Sequence, residues 1–138
     1  RCNQLALYVV FENPMPMVAD VSSNYLGEPG FDFLREVPTT WEETKFVAGE
    51  PGNYIVLARR SGDKWYLAGI TDWTERDLDV PLAFLGEGDY DLTLWADGSM
   101  DEARPSEVNK ATQAVSMKEP LKVKLAPGGG FVGVITKK

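Results

Sequence analysis

The stretch Tyr54-Ile55-Val56-Leu57-Ala58-Arg59-Arg60-Ser61-Gly62-Asp63-Lys64-Trp65-Tyr66-Leu67-Ala68-Gly69-Ile70-Thr71-Asp72-Trp73 decides the fold. Two runs rich in β-branched and aromatic side chains flank Arg60-Ser61-Gly62-Asp63-Lys64, a short polar segment whose glycine suits a hairpin reversal. Both runs are apolar on either face, which places them centrally in a sheet. Outward from this hairpin the pattern becomes alternation. Leu78, Val80, Leu82 and Phe84 oppose Asp77 and Asp79; Tyr90, Leu92, Leu94 and Ala96 oppose Asp91 and Thr93; Leu121, Val123 and Leu125 oppose Lys122 and Lys124. Each run is a strand with one dry and one wet face. Gly86-Glu87-Gly88-Asp89 and Pro127-Gly128-Gly129-Gly130 mark turns, the second leading into Phe131–Ile135. With Trp41–Val47 and Gln113–Met117, the count reaches about eight strands, which predicts an antiparallel β-sandwich over residues 39–138.

Residues 1–38 differ in texture. Gln4–Glu12 predicts a helix buried on most of its surface, because Leu5 to Phe11 is unbroken apolar sequence. Asn13-Pro14 ends it, since the residue before proline is pushed out of the helical basin. Met15–Ala19, followed by Asp20, predicts a short buried strand. Ser22-Ser23-Asn24 has turn and capping character, and Phe31–Glu36 predicts a second helix. The order is helix, strand, helix, and the boundary falls at Val37-Pro38-Thr39-Thr40. Such a unit cannot cover two sheet faces by itself, so it wants neighbours. It is expected to dock on the sandwich through Phe31, Phe33 and Leu34, or else to self-associate through Leu5 to Phe11.

Composition narrows the function. The 138 residues are 43% hydrophobic and carry a net charge of -7, which disfavours nucleic acid and anionic membrane surfaces. The longest apolar run is far short of the roughly 20 residues a transmembrane helix needs. There is no histidine, which excludes Ser-His-Asp and Cys-His nucleophile systems and every His-bearing metal site. Cys2 is the only cysteine, so no internal disulfide is possible.

Acid–base hydrolysis needs paired carboxylates. The candidates are Glu42/Glu43, Asp77/Asp79, Asp89/Asp91 and Asp101/Glu102. The alternating pairs lie on solvent faces, where charges ordinarily sit. Asp97-Gly98-Ser99-Met100-Asp101 offers oxygen ligands at alternate positions, but a calcium loop needs glycine at its sixth position and an acid at its twelfth, which here is Val108. An Asp-Gly turn is the simpler reading. Gly128-Gly129-Gly130 lacks the Lys-Ser/Thr ending and the helix of a phosphate cradle, so it reads as a turn. Trp95 interrupts the polar side of its strand and is expected to be exposed. Trp41, Trp65, Trp73 and Trp95 leave three readings: stacking on sugar rings, anchoring a protein interface, or covering the core edge against residues 1–38.

The chain's ordered motifs carry a family resemblance. These are Arg1–Pro14; Met17-Val18-Ala19-Asp20 with Asn24-Tyr25; Pro38-Thr39-Thr40-Trp41-Glu42-Glu43-Thr44; and Ala58-Arg59-Arg60 with Trp65-Tyr66. Thr71-Asp72-Trp73-Thr74 with Arg76-Asp77-Leu78, Phe84–Gly88 and Leu125–Phe131 complete the set. Together they resemble the C-terminal region of glycoside hydrolase family 97, bacterial exo-acting α-glucosidases and α-galactosidases.

The resemblance implies that residues 1–38 are the last helix-strand-helix of a (β/α)8 barrel and residues 39–138 a C-terminal sandwich described as an oligomerisation domain. It implies a non-catalytic role, since the family's catalytic carboxylates and calcium-binding glutamates lie upstream. No catalytic, metal or cofactor residue is therefore carried over; calcium is expected in the parent active site. Asp20 would stand at the C-terminal end of the last barrel strand, where barrel sites form, making it a candidate substrate-binding residue; the simpler reading is a cap on the next turn. Implied partners are the rest of the barrel, a second copy and, for the parent, an oligosaccharide. The implied location is periplasmic or secreted. The alternative reading is a carbohydrate-binding sandwich module, which requires aromatic side chains aligned on one exposed face.

Overall fold

A computed structural model describes residues 1–97 and 107–138. Helices α1 (Cys2–Val10) and α2 (Phe31–Glu36) precede strands β1 (Glu43–Glu50), β2 (Tyr54–Ser61), β3 (Lys64–Thr71), β4 (Arg76–Val80), β5 (Tyr90–Asp97), β6 (Val108–Val115), β7 (Leu121–Leu125) and β8 (Gly130–Lys137). Six strands form one antiparallel sheet in the order β1-β2-β3-β8-β5-β6, and β4 pairs with β7 in a separate ribbon. The chain is mainly β, as the alternation predicts.

The deciding hairpin forms. Ser61 pairs with Lys64 across the two-residue loop Gly62-Asp63, and Gly62 has φ +61. That left-handed conformation matches the twist of the flanking strands and costs glycine little.

The faces of the sheet follow the period of two. Val56, Ala58, Trp65, Leu67, Leu92, Phe131 and Ile135 point to one side, against Val80, Leu82, Leu85, Leu121, Val123 and Leu125. Tyr66, Ala68, Trp95, Val132 and Val134 point to the other, against Cys2, Leu5, Ala6, Val9 and Phe33. The β4–β7 ribbon and its loops thus cover one face and the helices the other. Strands β3 and β8 are dry on both sides, which is why their sequences lack a polar register. Each fully buried large aliphatic side chain contributes about 1.5–3 kcal/mol.

Several expectations shift. The strand expected over Met15–Ala19 forms no ladder: Met15 and Met17 are 78% and 86% exposed. A strand needs a neighbour for its N–H and C=O groups, and no described strand lies beside this one. Helix α1 starts two residues earlier than expected, because Asp97 accepts its first N–H groups. It ends at Val10, where Phe11 turns extended. Strand β4 stops at Val80 because Pro81 has no N–H to continue the ladder; Leu82 is still buried, in the loop. Strand β6 begins five residues before Gln113. Leu5, Ala6 and Val9 are buried against the sheet, so the self-association expected through Leu5 to Phe11 gives way to docking, in which Phe33 is fully buried and Leu34 packs beside it, while Phe31 stacks on Tyr25 instead.

Candidate functional site

Helix α1 meets the sheet at a junction built on one carboxylate. Asp97, the last residue of β5, lies on the same face as Trp95, because side chains two apart share a side. Its Oδ1 accepts the backbone N–H of Cys2 at 2.7 Å, and its Oδ2 accepts those of Asn3 at 3.2 Å and Gly130 at 3.0 Å. The bonds to Cys2 and Asn3 satisfy helix donors that α1 cannot pair internally, and the charge suits the positive helix end. Gly130 permits this approach, since a Cβ there would lie 2.7 Å from the Asn3 Cα. The Gly128-Gly129-Gly130 run is therefore a structural turn. Asp97, read as the start of a calcium loop, is a helix clamp; the rest of that loop lies outside the described residues, as does Asp101/Glu102.

At the other end of α1, buried Arg59 donates from Nη2 to the Val10 carbonyl at 3.4 Å. Its guanidinium stacks on Trp41 with 5.8 Å to the ring centroid, and its cation suits the negative helix end. Its Nε meets no acceptor. Sequence reading missed both clamps. The face assignment for Asp97 was available from its alternation with Trp95; Arg59 sits inside an apolar run, which was the only signal.

The carboxylate pairs are arranged for charge pairing. Glu42 accepts Gly62 N–H and Arg60 Nη1 at 2.9 and 2.7 Å. Glu43 meets Lys45 Nζ at 2.8 Å and Arg60 Nε at 3.2 Å. Their pKa values fall, Glu42's chiefly through the Gly62 N–H and then Arg60, Glu43's through Lys45 and Arg60. Asp77, Asp79, Asp89 and Asp91 are exposed, and Asp91 pairs with Lys138. A general acid at neutral pH needs a raised carboxyl pKa; the shifts at Asp20, Asp32, Glu42, Glu43 and Asp72 all run downward. Burial, with Asp97 nearby, pushes the Cys2 thiol up to about 12, so it holds little thiolate. Among the described residues, no three His, Cys, Asp or Glu side chains converge to hold a metal.

The tryptophans divide. Trp95, expected exposed, is 2% exposed. Helix α2 lands on that end of β5: Phe33 packs on Trp95 at 5.6 Å between centroids, and the indole Nε1 donates to Asp32 at 3.1 Å. Trp65 is buried against Phe84, and Trp41 meets Tyr66 edge-on. Trp73 alone of the four is largely exposed, at 82%. The aligned aromatic face that a carbohydrate-binding module requires is not formed by these four side chains.

Asp20 organises the turn after it. Its carboxylate accepts Val21 N–H at 2.7 Å and Asn24 Nδ2 at 3.0 Å, and Asn24, then Val21, lower its pKa. The Tyr25 hydroxyl accepts the Asp20 N–H at 3.1 Å. Around this turn the surface is apolar: Phe11, Met15, Met17, Val18, Val21 and Leu26 are all exposed. Tyr8, Met17, Val18, Tyr25 and Phe31 border an adjoining cleft of about 520 Å³.

Residues 40–136 match the family model described as glycosyl-hydrolase 97 C-terminal, oligomerisation. The chain is 48% identical over 132 residues to a retaining alpha-galactosidase of Bacteroides thetaiotaomicron, covering 95% of this chain and 20% of the relative. Among solved structures, a family 97 enzyme from Pseudoalteromonas sp. strain K8, in complex with panose, superposes with a TM-score of 0.90 at 34% identity, over 99% of this chain and 22% of that one. A beta-arabinopyranosidase superposes with a TM-score of 0.79 at 34% identity, over 96% of this chain and 20% of that one. The chain thus spans about a fifth of the length of the proteins it matches.

Proposed function

The chain belongs to glycoside hydrolase family 97, and from that premise we propose that it is the non-catalytic C-terminal part of an exo-acting α-glycosidase, seating the end of the catalytic barrel and joining copies of the enzyme. The observation that carries the reading is the exposed apolar segment from Phe11 to Leu26, beside a helix pair anchored to the sheet. Six large apolar side chains over so short a span mark an interaction surface, and in this reading the rest of the barrel covers it. Residues 1–38 are then the barrel's last elements, and Met15–Ala19 becomes a strand when a neighbour supplies its ladder.

The substrate of the whole enzyme is an α-galactoside or α-glucoside. The first is supported by the activity of the Bacteroides relative, the second by the panose bound to the Pseudoalteromonas enzyme. Asp20 borders the substrate pocket from the barrel's C-terminal rim. In this reading calcium belongs to the active site of the whole enzyme, as the family resemblance implies. A periplasmic or secreted location follows from the family resemblance.

The test has three arms. The 138-residue chain is assayed with aryl α-galactoside and aryl α-glucoside, titrated calorimetrically with maltooligosaccharides, and compared with the parent enzyme. The expected result is no turnover and no heat for the chain alone. Unaided turnover overturns the non-catalytic reading, and millimolar sugar binding favours the carbohydrate-binding module. In the parent, Asp20→Ala raises KM for the terminal sugar; unchanged kinetics removes Asp20 from the pocket.

A further inference from the structure

Strand β6 lies at an edge of the six-stranded sheet, and among the described residues no strand pairs with its outer side. An unpaired edge presents a row of N–H and C=O groups to any passing strand, and proteins normally guard it with charge, proline or a bulge. Strand β6, Val108-Asn109-Lys110-Ala111-Thr112-Gln113-Ala114-Val115, carries no proline and only one charged side chain. It pairs with β5 over its full length without a register shift. That one charged side chain is already paired: Lys110 Nζ meets Asp32 and lies over the Trp95 ring, 5.0 Å from the centroid, so it is held on the α2 face of the sheet. Asn109 to Ala114 are exposed on both faces of the sheet. The other edge contrasts with it. Strand β1 carries Glu43, Lys45 and Glu50, and its ladder breaks between Phe46 and Ala48.

We propose that β6 is the self-association edge of this chain. Two copies pair β6 with β6 in antiparallel fashion about a twofold axis perpendicular to the sheet, joining two six-stranded sheets into one. The inference rests on the oligomerisation reading above and assigns it a surface. The symmetry limits the register. A residue on the axis faces its own counterpart, and only Ala111 or Thr112 on the axis keeps most of the strand paired. Lys110 then faces Thr112 or Ala114 of the partner subunit, so no like charges meet directly in either register. Main-chain hydrogen bonds supply the affinity, and the short polar side chains leave room for the second strand.

The test is sedimentation velocity of the 138-residue chain over a concentration series, beside Thr112→Lys and Thr44→Lys. Thr112→Lys sets a lysine against Lys110 of the partner subunit when Ala111 is on the axis, and against its own counterpart when Thr112 is. The expected result is self-association of the unmodified chain, weakened at least about five-fold by Thr112→Lys and partly restored by high salt. Thr44→Lys, on the guarded β1 edge, leaves it unchanged. Hydrogen exchange on the unmodified chain reads the same edge without a substitution: β6 amides gain protection as concentration rises. Association that ignores Thr112→Lys, or β6 amides that exchange equally at all concentrations in an associating chain, overturns the β6 assignment and leaves oligomerisation standing. A chain that stays monomeric throughout overturns both.

Discussion

The carboxylate of Asp97 and the backbone nitrogen of Cys2 meet at 2.7 Å across 95 positions of sequence. Arg1, at the N-cap position of α1, makes no side-chain cap bond, so the helix takes its cap from the end of a strand. The same carboxylate holds the first residue of β8. One side chain therefore fixes where the helix starts, where the strand starts and how the two layers meet.

Removing that carboxylate is expected to cost about 2 kcal/mol, the scale of a lost helix cap with buried donors left unpaired. Asp97→Ala should lower the urea midpoint by the corresponding amount, and Asp97→Asn by less, since one oxygen acceptor remains. Equal stability for Asp97→Ala and the unmodified chain would show that α1 does not depend on this clamp.

The Cys2 thiol reports on the same junction. Burial and the neighbouring Asp97 push its pKa to about 12, so at pH 8 the folded chain holds almost no thiolate. Modification by a disulfide reagent should proceed only through opening of α1. Asp97→Ala should speed it at least ten-fold, both by loosening the helix and by removing the nearby negative charge. The check is the rate of thiol labelling under native conditions.

Phe33 is the anchor of α2. It is fully buried and packs on Trp95. Phe33→Ala should destabilise the chain by about 3–5 kcal/mol, the usual cost of deleting a buried aromatic ring. Trp95 fluorescence should shift to the red as water reaches the indole. Retained stability and an unshifted spectrum would mean that α2 is not docked there in solution.

Acid should destabilise this chain through a defined set of groups. Arg76, then the Thr74 N–H, holds the Asp72 pKa down. At Asp32 partial burial pushes upward, and Lys110, the Phe33 N–H and the Trp95 indole outweigh it. A carboxylate lowered on folding stabilises the native state above its unfolded pKa of about 3.9 and loses that contribution as pH falls through the lower folded value. The melting temperature should therefore drop steadily below about pH 4. Asp72→Asn should flatten that decline; thermal melts in which the substitution leaves the acid slope unchanged would exclude Asp72 from it.

Much of this architecture was legible because burial on one face leaves a period of two in the sequence. Leu121, Val123 and Leu125 against Lys122 and Lys124 could hardly read otherwise, and β7 buries those three residues. What failed to read was long-range pairing. Nothing local says that β8 inserts between β3 and β5, or that Trp95 on a polar register will meet Phe33. Met15–Ala19 has the composition of a strand but no partner among the described residues, because pairing depends on what lies beside a segment as well as on what it contains. Asp20 read correctly as a turn former through Val21 and Asn24. The helix clamp at Asp97 was hidden because its donors come from the opposite end of the chain.

The position of β8 has a kinetic consequence. The segment β1-β2-β3 and the hairpin partner strands β5 and β6 are synthesised before the strand that stitches them, yet β8 is the neighbour of both β3 and β5. On the ribosome these two half-sheets must wait as separate units, with the inner rims of β3 and β5 open to misassociation, until residues 130–137 clear the exit tunnel. Folding is then gated by the arrival of a single late segment, and a message or protease that removes it leaves one chain whose two half-sheets have no seam to close.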